Sequence, residues 1–247
     1  MKTATIQNGV KAASPVMVSY IALGMACGVV LYDAGISIFG IGLMSVLVYA
    51  GAAQFLAASM LVLGASIPSV ILMVFFLNLR HVLMSASLSS FVKDRSFGFI
   101  SLFSHVLTDE SYGINYTKSR EGLWTTDEAM MTSLSTYGTW VLSTIIGGAI
   151  GSQFQVNTTI MNFALIAMFL CMMVQQFISR EHMIAGLVSA GVTVLLMVLF
   201  KHNIALVIAT IIASFAGYGL EVRKERRKDR KKDKEIQSDL KGGESHE

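Results

Sequence analysis

Two short stretches of this sequence place charge where apolar side chains dominate. Leu77–Ser89 lies inside the apolar run Ile67–Val92 and carries Asn78, Arg80 and His81 near its middle. Ser101–Tyr116 follows, with His105, Asp109, Glu110 and Tyr112. A central Arg or Asp in a membrane-length segment costs roughly 2.5–3.5 kcal/mol on insertion scales, so such residues mark solute paths, proton relays or counter-ion pairs. Two carboxylates near one arginine suggest a division of labour. One stays ionised as the counter-ion of Arg80, and the other, desolvated beside a like charge, can carry a proton. His81 and His105 titrate in a range that lets them pass it on. A static ion pair pinning two helices is the plainer alternative.

Helical spacing groups these residues by face. Asn78, His81, Ser85 and Ser89 share one face, with Arg80 and Ser87 turned about 100° away. In the second stretch Ser101, His105, Thr108, Asp109, Tyr112 and Tyr116 also share one face. A helix polar along one stripe and apolar elsewhere lines an aqueous cavity or a site between helices. The step from His105 to Asp109 also suits metal ligation, with Glu110 and His81 nearby, but one such pair does not make a metal site. Gln54 follows the small-residue run Tyr49-Ala-Gly-Ala-Ala53, which either leaves room for a ligand or allows close helix packing. Gln175 and Gln176 form a second such pair. No phosphate loop, serine elbow or zinc-protease motif occurs, so no enzyme and no cofactor are expected.

These stretches need a scaffold of apolar helices. The chain has 247 residues, 53% of them hydrophobic and 14% charged, with a mean hydropathy of +0.61. Soluble domains carry about 25% charged residues. The fold class is therefore all-α: a polytopic membrane protein with seven to eight transmembrane or re-entrant helical segments in a lipid bilayer. Expected are a polar N-terminal segment (1–13), a transmembrane domain (14–221) and a charged cytoplasmic tail (222–247). The tail supplies the net charge of +3. Acids interleave its bases, which argues against a nucleic-acid patch. Cys27 and Cys171 sit alone in apolar runs and read as core residues.

Ser14-Pro15 reads as a helix start, and Gly24-x-x-x-Gly28 as a close-packing face. Later spans are expected at about 40–63, 66–91, 129–151, 160–178, 183–200 and 203–220. Phe97–Leu107 is half a membrane long and continues into the polar Thr108–Gly113. It is either the end of a full span or a helix broken at depth. Thr117–Asp127 reads as a polar loop, and Thr125-Thr-Asp-Glu128 as a capping box. Eight spans leave Lys93, Arg95 and Lys201 on the side opposite Lys118, Arg120, Arg180 and the tail, against the positive-inside rule. Seven spans, or a re-entrant third segment, therefore stay open. A faint echo, at an offset of about 122–124 residues, links Gln54-Phe55 and Val70–Phe76 to Gln176-Phe177 and Val194–Phe200; such repeats occur in transporters.

Tyr49-Ala-Gly-Ala-Ala-Gln-Phe55, Asn78-Leu-Arg-His81 with Met84-Ser85, and Thr108-Asp-Glu110 with Tyr112 resemble the signature stretches of the AzlC/YgaZ-type branched-chain amino acid permeases. Ser14-Pro15 and Gly24-x-x-x-Gly28 are similar to that family's first span. The likeness covers roughly residues 9–220. It implies a bacterial inner-membrane exporter of branched-chain amino acids, working with a small hydrophobic partner of the AzlD/YgaH type. On that basis Gln54, Asn78, Arg80, His81, His105, Asp109, Glu110 and Tyr112 are expected to line the transport path. The carboxylate of a zwitterionic substrate needs Arg80 or backbone N–H groups at a broken helix near Gly51-Ala52. The ammonium needs Asp109 or Glu110, helped by Asn78 and Gln54.

Overall fold

The computed structural model describes residues 3–122, 124–153, 163, 166, 167, 170 and 180–200. Most of the expected sixth span, the expected eighth span, the charged tail and Gln176-Phe177 of the internal echo lie outside them. The chain divides into two compact units, residues 1–168 and 169–247. Every regular element among the described residues is a helix. In the second unit the described element is α8, Arg180–Phe200, with exposed Leu187, Val194 and Val198.

In the first unit α1 spans Thr3–Asp33, so the helix does not begin at Ser14-Pro15. Pro15 lies inside it. Proline has no N–H to give the carbonyl four residues back. Here Ser14 Oγ donates to Lys11 O at 2.9 Å and takes up that acceptor. A helix interrupted in this way keeps its backbone satisfied, which explains why the sequence signal for a start was misleading.

α7 (Thr126–Gly151) opens on the expected capping box, with Thr125 and Glu128 exchanging hydrogen bonds. It runs parallel to α1: Gly9 faces Met131, Gly24 faces Ser143, and Gly28 faces Thr144 and Gly148. The expected close-packing face is therefore used. A methyl group on Gly147 would run into the Met25 backbone. The Thr132 and Ser143 hydroxyls donate across this seam to Gly9 O (3.2 Å) and Tyr20 O (3.0 Å). Close backbone approach and hydroxyl bonds are how helices associate where lipid removes the hydrophobic drive.

The expected second span is not one helix. α2 (Ile38–Leu47) and α3 (Gly51–Val62) are separated by a break in which Tyr49 has φ +40°. α2 starts beside the C-terminal end of α7, where Ile41 meets Gly148. The break reaches Thr136, near the midpoint of α7, through a 3.3 Å bond from Tyr49. α4 (Ile67–Val92) then follows α3 after a few residues. At 26 residues α4 is about 39 Å long. Its C-terminal Leu88 and Val92 pack with Phe103, Ala129 and Met130, at the start of α7. Its N-terminus therefore lies at the far end, and α2–α3 enters and leaves on that side.

The next segment does the same from the other side. α5 (Phe97–His105) breaks at Val106–Thr108, and α6 (Asp109–Arg120) carries the chain back. Arg95, just before α5, donates to Thr126 and Asp127 at 2.7 Å, while α6 is tied to the same turn by residues 121–125. Of the two readings of Phe97–Gly113 the structure shows the broken helix, with the break at Val106–Thr108. The expected loop at Thr117 begins only after Arg120. The third segment, α4, is full length, and its neighbours on both sides turn back. Two of these helices, α1 and α4, are long and apolar enough to cross a membrane.

The two halves share one plan. Ser37 and Ser66 cap α2 and α4; Ser96 and Thr125 cap α5 and α7, each 59 residues on. α3 and α6 each have 12 residues, and α4 and α7 each have 26. Gly64 and Gly122 close α3 and α6 with φ of +74° and +71°. Since α4 and α7 run in opposite directions, α2–α4 and α5–α7 form an inverted repeat. Such repeats place broken helices at mid-depth in secondary transporters.

Candidate functional site

The tips of the two hairpins meet near the middle of α7. His105 Nε2 lies 2.9 Å from Val46 O, and Tyr137 donates to the same carbonyl at 3.1 Å. These two groups satisfy an acceptor that the end of α2 leaves without an intrahelical partner. Thr108 N–H donates to Ser111 Oγ at 2.9 Å and turns the chain into α6. Asp109 and Glu110 then occupy the first turn of α6, where the helix dipole favours negative charge.

Each carboxylate has its own partner. Arg80 Nη1 and Asp109 Oδ2 are 2.6 Å apart, with the side chains 29% and 34% exposed. Glu110 Oε2 accepts from the buried Tyr20 hydroxyl at 2.6 Å, and Thr108 Oγ1 lies 3.0 Å from the same hydroxyl. Arg80 Nε and Asn78 Oδ1 are buried and have no hydrogen-bond partner among the described residues. Arg80 Nε thus leaves one unmet donor beside the ion pair, which can receive a ligand's acceptor, whereas Asn78 Oδ1 lies about 160° around the helix from it.

The remaining expected residues divide. α6 packs on the Arg80/Ser87 face of α4, with Ser87 Oγ and Tyr112 Oη hydrogen-bonded at 2.9 Å. Asn78 and His81 occupy the adjoining face. His105 does not share a helix face with Asp109, because the break falls between them. Gln54 is fully buried and holds a clasp: Nε2 donates to Ser45 Oγ (2.8 Å), and Oε1 accepts from Trp140 Nε1 (2.7 Å). Ser45 is in turn bonded to Thr144 at 2.8 Å. Gln54 joins the charged cluster through Trp140, whose ring meets Tyr20 edge-on at 5.0 Å. Of the two readings of the small-residue run, close packing fits the geometry: a methyl on Gly51 would sit 2.7 Å from the Trp140 ring.

Sequence reading missed Tyr20 and Trp140. A phenol or indole in an apolar run was the available signal, since each has one polar end that wants a partner when buried.

A family model described as AzlC protein matches residues 15–154, which takes in both hairpins and α7. The chain belongs to the AzlC family. It is 30% identical over 202 residues to "Inner membrane protein YgaZ" of Escherichia coli, covering 77% of this chain and 82% of that one. It is 28% identical over 194 residues to "Branched-chain amino acid transport protein AzlC" of Bacillus subtilis, covering 76% and 74%. A membrane protein of Helicobacter pylori strain J99 is 26% identical over 206 residues, covering 81% and 88%. No solved structure matches. The match places this member of the AzlC family in a membrane. It also accounts for the apolar surface of α4, where Ile71, Phe75, Val82 and Leu83 are exposed.

Proposed function

We propose that this AzlC-family protein is a secondary transporter exporting branched-chain amino acids across the bacterial cytoplasmic membrane. It is proton-coupled and works with a small hydrophobic subunit of the AzlD/YgaH type. The observation that carries the reading is the Arg80–Asp109 pair at the tip of the second hairpin, with Arg80 Nε buried and unpartnered among the described residues. A substrate carboxylate is received by Arg80, and the substrate ammonium by Asp109. Glu110, held by Tyr20, is the candidate proton carrier. The name of the Bacillus subtilis relative supports the substrate class.

Charge placement supports the orientation. Lys11, Lys93, Arg95, Lys118 and Arg120 lie at one end of the first unit. The opposite end carries Asp33 and no basic residue among the described ones. By the positive-inside rule the basic end faces the cytoplasm. Two re-entrant hairpins thus remove the conflict over Lys93 and Arg95 that eight plain spans created. The test is efflux of radiolabelled leucine and valine from cells expressing this chain, the small subunit, or both. Faster efflux that collapses with the proton gradient is expected with both. Efflux equal to that of empty cells in all three would end the proposal.

A further inference from the structure

Between the basic end and mid-depth α4 and α6 meet through polar pairs set among apolar side chains, Met84 and Leu88 packing in the same cluster as Tyr112 and Tyr116. At the deep end is the Arg80–Asp109 pair, and one to two turns outward Ser87 meets Tyr112. At the rim the seam opens into a cavity of about 360 Å³, lined by Ser87, Ser90, Phe91, Tyr116, Ser119 and Arg120. That volume is at the lower end of the range for small-molecule pockets. Arg120 is exposed, lies over the Tyr116 ring at 5.0 Å, and has no carboxylate partner among the described residues. Stacking on an aromatic face leaves the guanidinium edge available for bidentate binding of a carboxylate. From Arg120 to Asp109 along α6 is about 16 Å, at 1.5 Å per residue. Gly113, on this helix, has open space around it, whereas Gly51 in the other hairpin is sealed by Trp140.

We propose that the α4–α6 seam is the cytoplasmic half of the solute path, and that its rim cavity is a first binding site for amino acids. Arg120 takes the carboxylate there, and Ser87, Ser90 and Ser119 supply hydroxyls for the ammonium. The apolar side chain lies against Phe91. The solute then moves along the seam, exchanging Arg120 for Arg80. This rests on the transport reading, and it adds a site in which Arg120 is the specificity-setting group for the carboxylate.

The experiment uses inside-out membrane vesicles, which present the basic end to the medium, and initial rates of radiolabelled leucine uptake. Arg120→Gln is expected to raise KM about tenfold with kcat unchanged, as befits loss of a charged hydrogen bond in binding. Arg120→Lys is expected to recover most of that loss. A second readout needs no transport: Ser90→Cys, in a Cys27→Ala, Cys171→Ala background, is labelled with a membrane-impermeant thiol reagent. Leucine is expected to slow the labelling, and leucine amide, which lacks the carboxylate, is not. A fall in kcat with KM unchanged, or labelling slowed by anionic lipid and not by leucine, would overturn the proposal. If the parent protein moves no leucine, the transport reading fails. The labelling assay then still decides the cavity, since protection by leucine retains it and no protection removes it.

Discussion

The Arg80–Asp109 pair can be separated experimentally into clasp and site. A fully exposed ion pair contributes about 0–1 kcal/mol. Breaking a buried one costs about 3–5 kcal/mol, because a lone charge stays behind. Here both partners are about one-third exposed and the contact is 2.6 Å, so the case is intermediate. Asp109→Asn should therefore cost roughly 1–3 kcal/mol in stability. The exchange Arg80→Asp with Asp109→Arg keeps one charge of each sign at the same contact and should recover much of that loss. Transport should respond differently. If the pair receives the two ends of a zwitterion, the exchanged protein presents each charge from the wrong helix, and leucine export should stay at least a hundredfold below the parent protein. Thermal unfolding in detergent reads the first effect, and export from cells reads the second. Recovery of stability and export together would refute the reasoning, because it would show that the pair is a clasp between α4 and α6.

Other perturbations probe the frame around it. Gly147→Leu puts a side chain into the Met25 backbone and should sharply reduce folded protein in size-exclusion profiles, whereas Gly138→Ala, with nothing within 4 Å, should behave as the parent does. Gln54→Leu strands the Trp140 indole N–H, while Ser45 keeps its bond to Thr144, so it should cost about 1–3 kcal/mol in thermal stability while leaving the KM for leucine unchanged. Hydrogen bonds from Asn8 and Thr125 hold the Glu128 carboxyl below its ordinary range, at the rim of α7. A lowered folded pKa contributes stability above the unfolded value and loses it as pH falls. Glu128→Gln should therefore lower the melting temperature at pH 7, and the difference should shrink as pH drops through the carboxylate range.

The sequence made the long elements legible and hid the short ones. α4 and α7 were found because Ser66-x-Pro68 and Thr125–Glu128 are local start signals whose chemistry does not depend on the rest of the chain. The break at Tyr49 was invisible to hydropathy, since Ile38–Val62 is apolar on both sides of it. What stops that helix is contact with His105 and Tyr137, which lie far away in sequence. The inverted repeat was missed for a related reason. Its halves share caps and lengths, not side chains, so Gln54 in α3 has Tyr112 near the matching place in α6. At the site, the pairing of Arg80 with one of the two carboxylates could be anticipated from charge economy, but not that the partner is Asp109. The Tyr20 bond to Glu110 could not, because it depends on α1 lying beside the second hairpin.

The claim at the centre is that the charged residues at the hairpin tips hold a dipolar solute. Equilibrium binding of radiolabelled leucine to the purified protein tests it most directly. The parent protein should bind leucine, Asp109→Asn and Arg80→Gln should each lose most of that binding, and Arg95→Gln, at the rim, should keep it. Undiminished binding by both site variants would contradict the account.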